Sequence, residues 1–90
     1  MDSIPNVMTV NGDGINDVFH LKNALVQQYD LQIYDRWGIL LFETTSAQID
    51  WDGKTLAGAD VPTGTYYYIL KATTYSNKYI SKTGFLSLLR

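Results

Sequence analysis

The densest group of metal-ligand side chains in the sequence lies in the turn-rich segment 11–14 and the residues that follow it. The common calcium-binding loop places oxygen ligands at alternate positions, a glycine at its sharp turn and a bidentate Glu at its end. In that frame Asn11, Asp13 and Asp17 supply oxygens, and Gly14 is the required glycine. A histidine stands where the Glu is needed, so the pattern predicts a weak calcium site. The competing interpretation is a turn whose side chains bond nearby backbone amides.

Catalytic chemistry has little support in the remaining residues. His20 is the single histidine, and the chain has no cysteine. Zinc needs several His or Cys ligands, and nucleophilic catalysis needs a base, an orienting acid and a presented nucleophile such as the nucleophile elbow provides. We therefore predict that the protein is not an enzyme, that it uses no cofactor other than the calcium considered above, and that His20 lies in a strand or loop.

Aromatic residues and one arginine are candidates for recognition instead. Trp37 and Trp51 could form a platform for sugar rings, although a Trp in a two-sheet β protein commonly packs in the core or at its rim. Tyr67 is expected on an outer strand face, where it offers contact area for protein docking, although Tyr also simply suits a strand. Arg36 either pairs with a carboxylate or loop carbonyls, or is exposed for recognition.

Size and charge restrict the class of protein. The chain has 90 residues, 46% of them hydrophobic, and a formal net charge of −2, which corresponds to a single domain. No apolar run approaches ~20 residues, so we expect no membrane insertion, and the N-terminus lacks the order of a signal peptide. Residues 61–90 contain four bases and no acid. Four scattered bases are too sparse for nucleic-acid binding; they form either a solubilising rim or a basic edge that meets an acidic partner.

These residues must be positioned by short strands. Seven Gly and two Pro separate segments rich in Tyr, Ile, Leu and Thr, which is typical of strands joined by turns. We predict strands at 17–21, 29–36, 39–42, 49–51, 65–74 and 79–89, with a bulge at Gly84. Segment 23–28 is the best helical candidate, but it is too short to stand alone. The pattern predicts an all-β fold, an antiparallel β-sandwich of about six or seven strands.

Several local motifs occur together in order along almost the whole chain. They are Ile4-Pro5-Asn6-Val7, Asn11-Gly12-Asp13-Gly14-Ile15-Asn16-Asp17-Val18-Phe19, Ile33-Tyr34-Asp35-Arg36-Trp37-Gly38, Trp51-Asp52-Gly53, Pro62-Thr63-Gly64-Thr65-Tyr66-Tyr67-Tyr68 and the final Gly84 with Leu88, Leu89 and Arg90. In this joint order the chain resembles the gliding motility-associated C-terminal domain, the type B sorting domain of the type IX secretion system. It departs from that family at Val10, where the family usually has Pro, and at Asp35, where it usually has Asn.

The resemblance implies an immunoglobulin-like sandwich and a non-catalytic sorting signal. Residues 1–90 would form a single C-terminal domain, a fragment of a larger exported protein whose cargo domains are fused N-terminally. Such a domain directs its cargo through the periplasm and past a protein translocon component of the outer membrane to the cell surface or medium. The alternatives are a carbohydrate-binding or adhesion module of a cell-surface protein, and a plain spacer domain.

The final strand is the first candidate for the partner-binding site. A terminal strand can be recognised through a free backbone edge, by addition to a partner's sheet, and its basic charge discourages pairing with itself. The residues predicted to bind the partner are Thr83, Gly84, Phe85, Leu88, Leu89, Arg90, Arg36 and Tyr67.

Overall fold

The protein is all-β, as predicted. The computed structural model describes residues 7–9, by their backbone, and residues 19–90. The strands are β1 (Val7–Thr9), β2 (Phe19–Lys22), β3 (Val26–Tyr34), β4 (Leu40–Ser46), β5 (Gln48–Trp51), β6 (Gly64–Thr74) and β7 (Tyr79–Leu89). Over the described ranges, no helix has the length and hydropathy needed to cross a membrane. The predicted calcium ligands Asn11, Asp13 and Asp17 lie outside the described residues.

Two sheets form the sandwich. The larger has the strand order β1-β7-β6-β3-β4, and the smaller pairs β2 with β5. All pairs are antiparallel except β1 and β7, which run parallel with Val7 opposite Ser87 and Thr9 opposite Leu89. The prediction that the final strand has a free edge is therefore wrong at residues 87–89, because β1 occupies that edge.

The core fills the space between the sheets, because side chains on each strand alternate between the two faces. In β6, Tyr66, Tyr68, Leu70 and Ala72 share one face, point inward and are buried. The small sheet contributes Phe19, Leu21, Ile49 and Trp51, and the larger sheet also contributes Val26, Tyr29, Leu31, Ile33, Leu86 and Leu88. Each sheet therefore has one apolar inner face. On the outer face of the larger sheet, the alternate side chains of β6 and β7 are half-buried or exposed.

The turns follow the predicted residue chemistry. The β3–β4 hairpin turns at Gly38, which has a φ of 82°, a conformation that costs glycine little. The chain also turns at Gly53 and at Asn77, both with positive φ. The helical candidate at 23–28 forms a turn and the start of β3: the Val26 N–H bonds the carbonyl of residue 23 at 3.0 Å.

Gly84 does not form the predicted bulge. The β6–β7 register runs without a shift through the pair Tyr68 and Gly84. A Cβ atom at Gly84 would lie 2.7 Å from the Tyr68 hydroxyl oxygen and 2.9 Å from its Cζ. The glycine therefore leaves room for the tyrosine ring on the adjacent strand β6. The register shifts occur in the pairings of β3 instead: with β6 between Val26 and Gln28, and with β4 between Ile33 and Tyr34.

Candidate functional site

The eight residues predicted to bind a partner divide into two groups. Thr83, Phe85 and Leu89 belong to the outer face of the larger sheet, together with Tyr67 on the adjacent strand. Arg36 lies at the edge of that face, in the β3–β4 turn, where it lines the same groove as Tyr67 and Phe85.

Gly84, Leu88 and Arg90 serve the fold instead. Gly84 makes room for the Tyr68 ring, and Leu88 is 0% exposed in the core. Arg90 is bound by its side chain to the loop between β5 and β6. The structure therefore brings five of the eight predicted residues together on one surface and places the other three elsewhere.

Three aromatic side chains cross the outer face as a row, which we call the aromatic row: Tyr34, Tyr67 and Phe85. Tyr67 is directly opposite Tyr34 on β3 and Phe85 on β7. The ring centroids are 6.3 Å apart for Tyr34 and Tyr67 and 5.7 Å apart for Tyr67 and Phe85, the range in which aromatic pairs attract. Phe85 remains 68% exposed, so the row holds its geometry while offering apolar area to solvent.

An open groove of about 790 Å³ runs along the aromatic row. Tyr67 and Phe85 form its apolar part, Ile69 extends that part along β6, and Arg36 stands at its edge. A concave surface with an apolar lining and few polar groups is the usual form of a recognition site. The groove is therefore the best-formed candidate for binding on this face.

The β3–β4 turn fixes the position of Arg36. The Asp35 Oδ1 atom accepts hydrogen bonds from the backbone N–H groups of Trp37 and Ile39, each at 2.9 Å. The Asp35 carboxylate is thereby committed to the turn. The Arg36 guanidinium carbon lies 4.2 Å from the centroid of the Trp37 ring, a cation–π contact, and Arg36 makes no salt bridge within the described residues.

Arg90 ties the end of β7 to the β5–β6 loop. Its Nε atom donates to the Val61 carbonyl at 2.5 Å, its Nη2 atom donates to the Gly53 carbonyl at 2.7 Å, and its backbone N–H donates to the Thr63 hydroxyl at 3.1 Å. Its Nη1 atom lies 3.8 Å from the Asp60 Oδ1 atom. We call this set of contacts the Arg90 clamp. Its hydrogen bonds to carbonyls fix the loop more firmly than the exposed ion pair does.

The tryptophans do not form a shared sugar platform. Trp51 is 1% exposed and packs against Phe42 with ring centroids 5.9 Å apart. Its indole N–H donates to the Lys54 carbonyl at 2.8 Å. Trp37 is 71% exposed in the hairpin turn. Because one ring is buried, the pair cannot stack together on a sugar, and core packing explains Trp51.

His20 lies in a strand and pairs with Asp50 across the small sheet. The Asp50 carboxylate accepts hydrogen bonds from His20 and from the Gln48 amide. These hydrogen bonds lower the pKa of Asp50 below its usual value, and the bond from His20 has the larger effect. Both His20 and Asp50 are exposed. Among the side chains that the structure describes, no three His, Asp or Glu residues converge as a metal site.

Sequence reasoning predicted Arg36, Tyr67 and Phe85 but missed the other residues of the groove lining, among them Tyr34 and Ile69. Both fall on outward positions of their predicted strands, so the alternation contains the signal for their exposure. Their proximity to Tyr67 and Phe85 depends on the pairing of β3 with β6 and of β6 with β7. That register joins residues more than thirty positions apart for Tyr34 and Tyr67, and no local pattern specifies it.

The comparisons with known proteins point to one family. Residues 3–88, nearly the whole chain, match the family model described as CHU_C Type IX secretion signal domain. No curated protein matches the chain.

Proposed function

Since the chain belongs to the CHU_C Type IX secretion signal domain family, we propose that the secretion machinery recognises the folded domain through the aromatic row of its larger sheet. The chain is a sorting signal domain that directs an attached cargo through the type IX secretion system. That role implies recognition by the secretion machinery, a cargo fused N-terminally, and export to the cell surface or medium.

The finer parts of the proposal concern the route and the chemistry. The domain passes through the periplasm with its cargo and binds a protein component of the translocon in the outer membrane. It acts by recognition, without turnover of a substrate and without a bound cofactor. Residues 1–90 form one C-terminal sorting domain of a larger exported protein.

One observation carries the choice of surface: Phe85 and Tyr67 are adjacent aromatic residues on the outer face of the larger sheet, and Phe85 is 68% exposed. Aromatic side chains dominate the binding energy of protein interfaces when they are held rigidly. The sheet holds both residues by backbone pairing on β6 and β7, so little order must be gained on binding. Thr83 and Leu89 are on the same face and extend the contact along β7.

The test is a transplant of residues 1–90 onto the C-terminus of a fluorescent protein that carries a signal for export to the periplasm. The fusion is expressed in a host with an active type IX system and in a matched translocon mutant. We expect fluorescence at the cell surface or in the medium of the intact host only. Retention in both hosts, with the domain shown to be folded, would contradict an autonomous sorting signal.

Variants then locate the recognised surface. Phe85→Ser and Tyr67→Ser should each reduce export at least about tenfold, the effect of losing one dominant interface residue. Tyr79→Ser is the matched control, because Tyr79 is on the same face of β7 and is 64% exposed but lies six positions from Phe85 along the strand. Unchanged export of the folded Phe85→Ser and Tyr67→Ser variants would refute recognition through the aromatic row.

A further inference from the structure

The groove beside the aromatic row is lined by two residues of opposite charge, Asp35 and Arg36, whose charged groups form no salt bridge with each other. Arg36 is held against the Trp37 ring at 4.2 Å and forms no salt bridge within residues 19–90. The Asp35 Oδ1 atom accepts hydrogen bonds from two backbone N–H groups, so this carboxylate holds the turn and does not pair with Arg36. The guanidinium therefore retains its capacity to donate hydrogen bonds to a ligand.

The strands that carry Tyr67 and Phe85 add no acidic side chain to the groove. Residues 61–90, which include β6 and β7, contain four bases and no acid. On β3 and β4, Asp30 lies directly opposite Lys71, and Glu43 accepts a hydrogen bond from Gln32 at 3.4 Å. Asp30 and Glu43 lie outside the groove, whose lining contains one acid, Asp35, and one base, Arg36.

We propose that the groove binds an acidic–apolar segment of the translocon component, in which a carboxylate pairs with Arg36 while an adjacent apolar side chain packs on Tyr67 and Phe85. This inference rests on the proposed function, since it specifies the partner of the same surface. A guanidinium binds a carboxylate through two parallel hydrogen bonds, which fixes the orientation of the segment as well as its charge. The groove volume of about 790 Å³ accommodates a few side chains, and the apolar contact supplies most of the binding free energy.

The ligand chemistry can be tested directly with two synthetic peptides, acetyl-Ser-Phe-Glu-Phe-Ser-amide and its counterpart with Gln in place of Glu. Their affinities for the 90-residue chain are measured by two-dimensional NMR titration of the amide signals. We expect the Glu peptide to bind about tenfold more tightly than the Gln peptide, as a charge-assisted pair provides. The shifts should centre on Tyr67 and Phe85.

Arg36 variants test whether the Arg36 guanidinium binds the carboxylate of the peptide. The Arg36→Gln variant should lose the preference for the Glu peptide and bind the Glu and Gln peptides with about equal affinity, because the charged partner of the carboxylate is gone. Lys71→Gln is the matched control: Lys71 is on the same face of β6, two outward positions beyond Tyr67, and its replacement should leave the preference unchanged. Equal affinity of the two peptides for the native chain, or binding outside the groove, would overturn the inference.

Export assays separate this inference from the proposed function. Arg36→Glu should reduce export of the fluorescent fusion about tenfold, and Arg36→Lys should reduce it less. If Phe85→Ser abolishes export while Arg36→Glu leaves it unchanged, the aromatic row is the recognised surface and the acidic partner is refuted. If neither change affects export, recognition through the aromatic row fails together with the inference, and the sorting role itself is tested by the transplant.

Discussion

Leu88 and Leu89 are chemically identical neighbours in β7, yet the sandwich gives them opposite environments. Leu88 is completely buried between the sheets, whereas Leu89 is 47% exposed on the outer face. The same alternation separates Leu86 in the core from Phe85 in the aromatic row. One strand therefore supplies the fold with one set of residues and the recognition surface with the next. Deleting the end of the strand removes both at once and cannot distinguish them.

The largest expected effect on stability is that of Leu88→Ala compared with Leu89→Ala. Loss of a buried leucine removes its transfer free energy and leaves a cavity, so Leu88→Ala should lower the free energy of unfolding by about 2–5 kcal/mol. Leu89→Ala should lower it by less than about 1 kcal/mol, as is usual for surface substitutions. Urea denaturation followed by tryptophan fluorescence measures both. Equal losses would show that the two faces of β7 are not distinct.

Arg90→Ala should have an intermediate effect. The variant removes the side-chain bonds to the Gly53 and Val61 carbonyls, and hydrogen bonds from a charged group contribute about 1.5–3 kcal/mol. Asp60→Asn is the control, since the 3.8 Å contact between Arg90 and the exposed Asp60 contributes less than about 1 kcal/mol. The urea midpoints of both variants are compared. If Asp60→Asn lowered the free energy of unfolding as much as Arg90→Ala, the ion pair and not the carbonyl hydrogen bonds would hold the loop.

The smallest effect is expected at Asp50, which is exposed on the small sheet. Its pKa is lowered in the folded protein, first by the hydrogen bond from His20. Its contribution to stability is therefore present above the unfolded pKa of about 3.9 and is lost as the pH falls through the lower folded value. The difference in unfolding free energy between the native chain and Asp50→Asn should be constant near neutral pH and decrease in acid. A difference independent of pH down to strongly acidic solution would contradict this.

The sequence specified strands better than it specified the site. Alternation places Tyr66 and Tyr68 on one face of β6 and Tyr67 on the other, because successive side chains of a strand point to opposite faces. It did not predict that β1 covers the end of β7, or that Arg90 reaches Gly53 and Val61, because these contacts join segments that are distant in the chain. The bulge predicted at Gly84 was wrong, because the reason for the glycine lies on the adjacent strand β6, in the Tyr68 ring.

The site residues divide in the same way. Phe85 and Tyr67 belong to the recognition surface because outward alternation and aromatic type coincide there. Leu88 has an apolar type that fits either face, and only its phase relative to Leu86 decides that it is buried. Arg90 follows the last strand residue, where no periodicity applies. A residue's type and its position in the strand alternation together predict whether it lies on the recognition surface, and neither is sufficient alone.

The parallel pairing of β1 with β7 has a mechanical consequence. Residues 7–9 pair in register with residues 87–89. Because the two strands run parallel, the chain enters β1 at one end of this pair and leaves β7 at the opposite end. A pull on a cargo that precedes β1, against a grip on the end of β7, slides the two strands past each other. Their hydrogen bonds then bear the load together in shear, and they do not open one after another as in a hairpin pulled from its ends. Under such tension the domain should yield as one unit, at a rate set by its unfolding barrier.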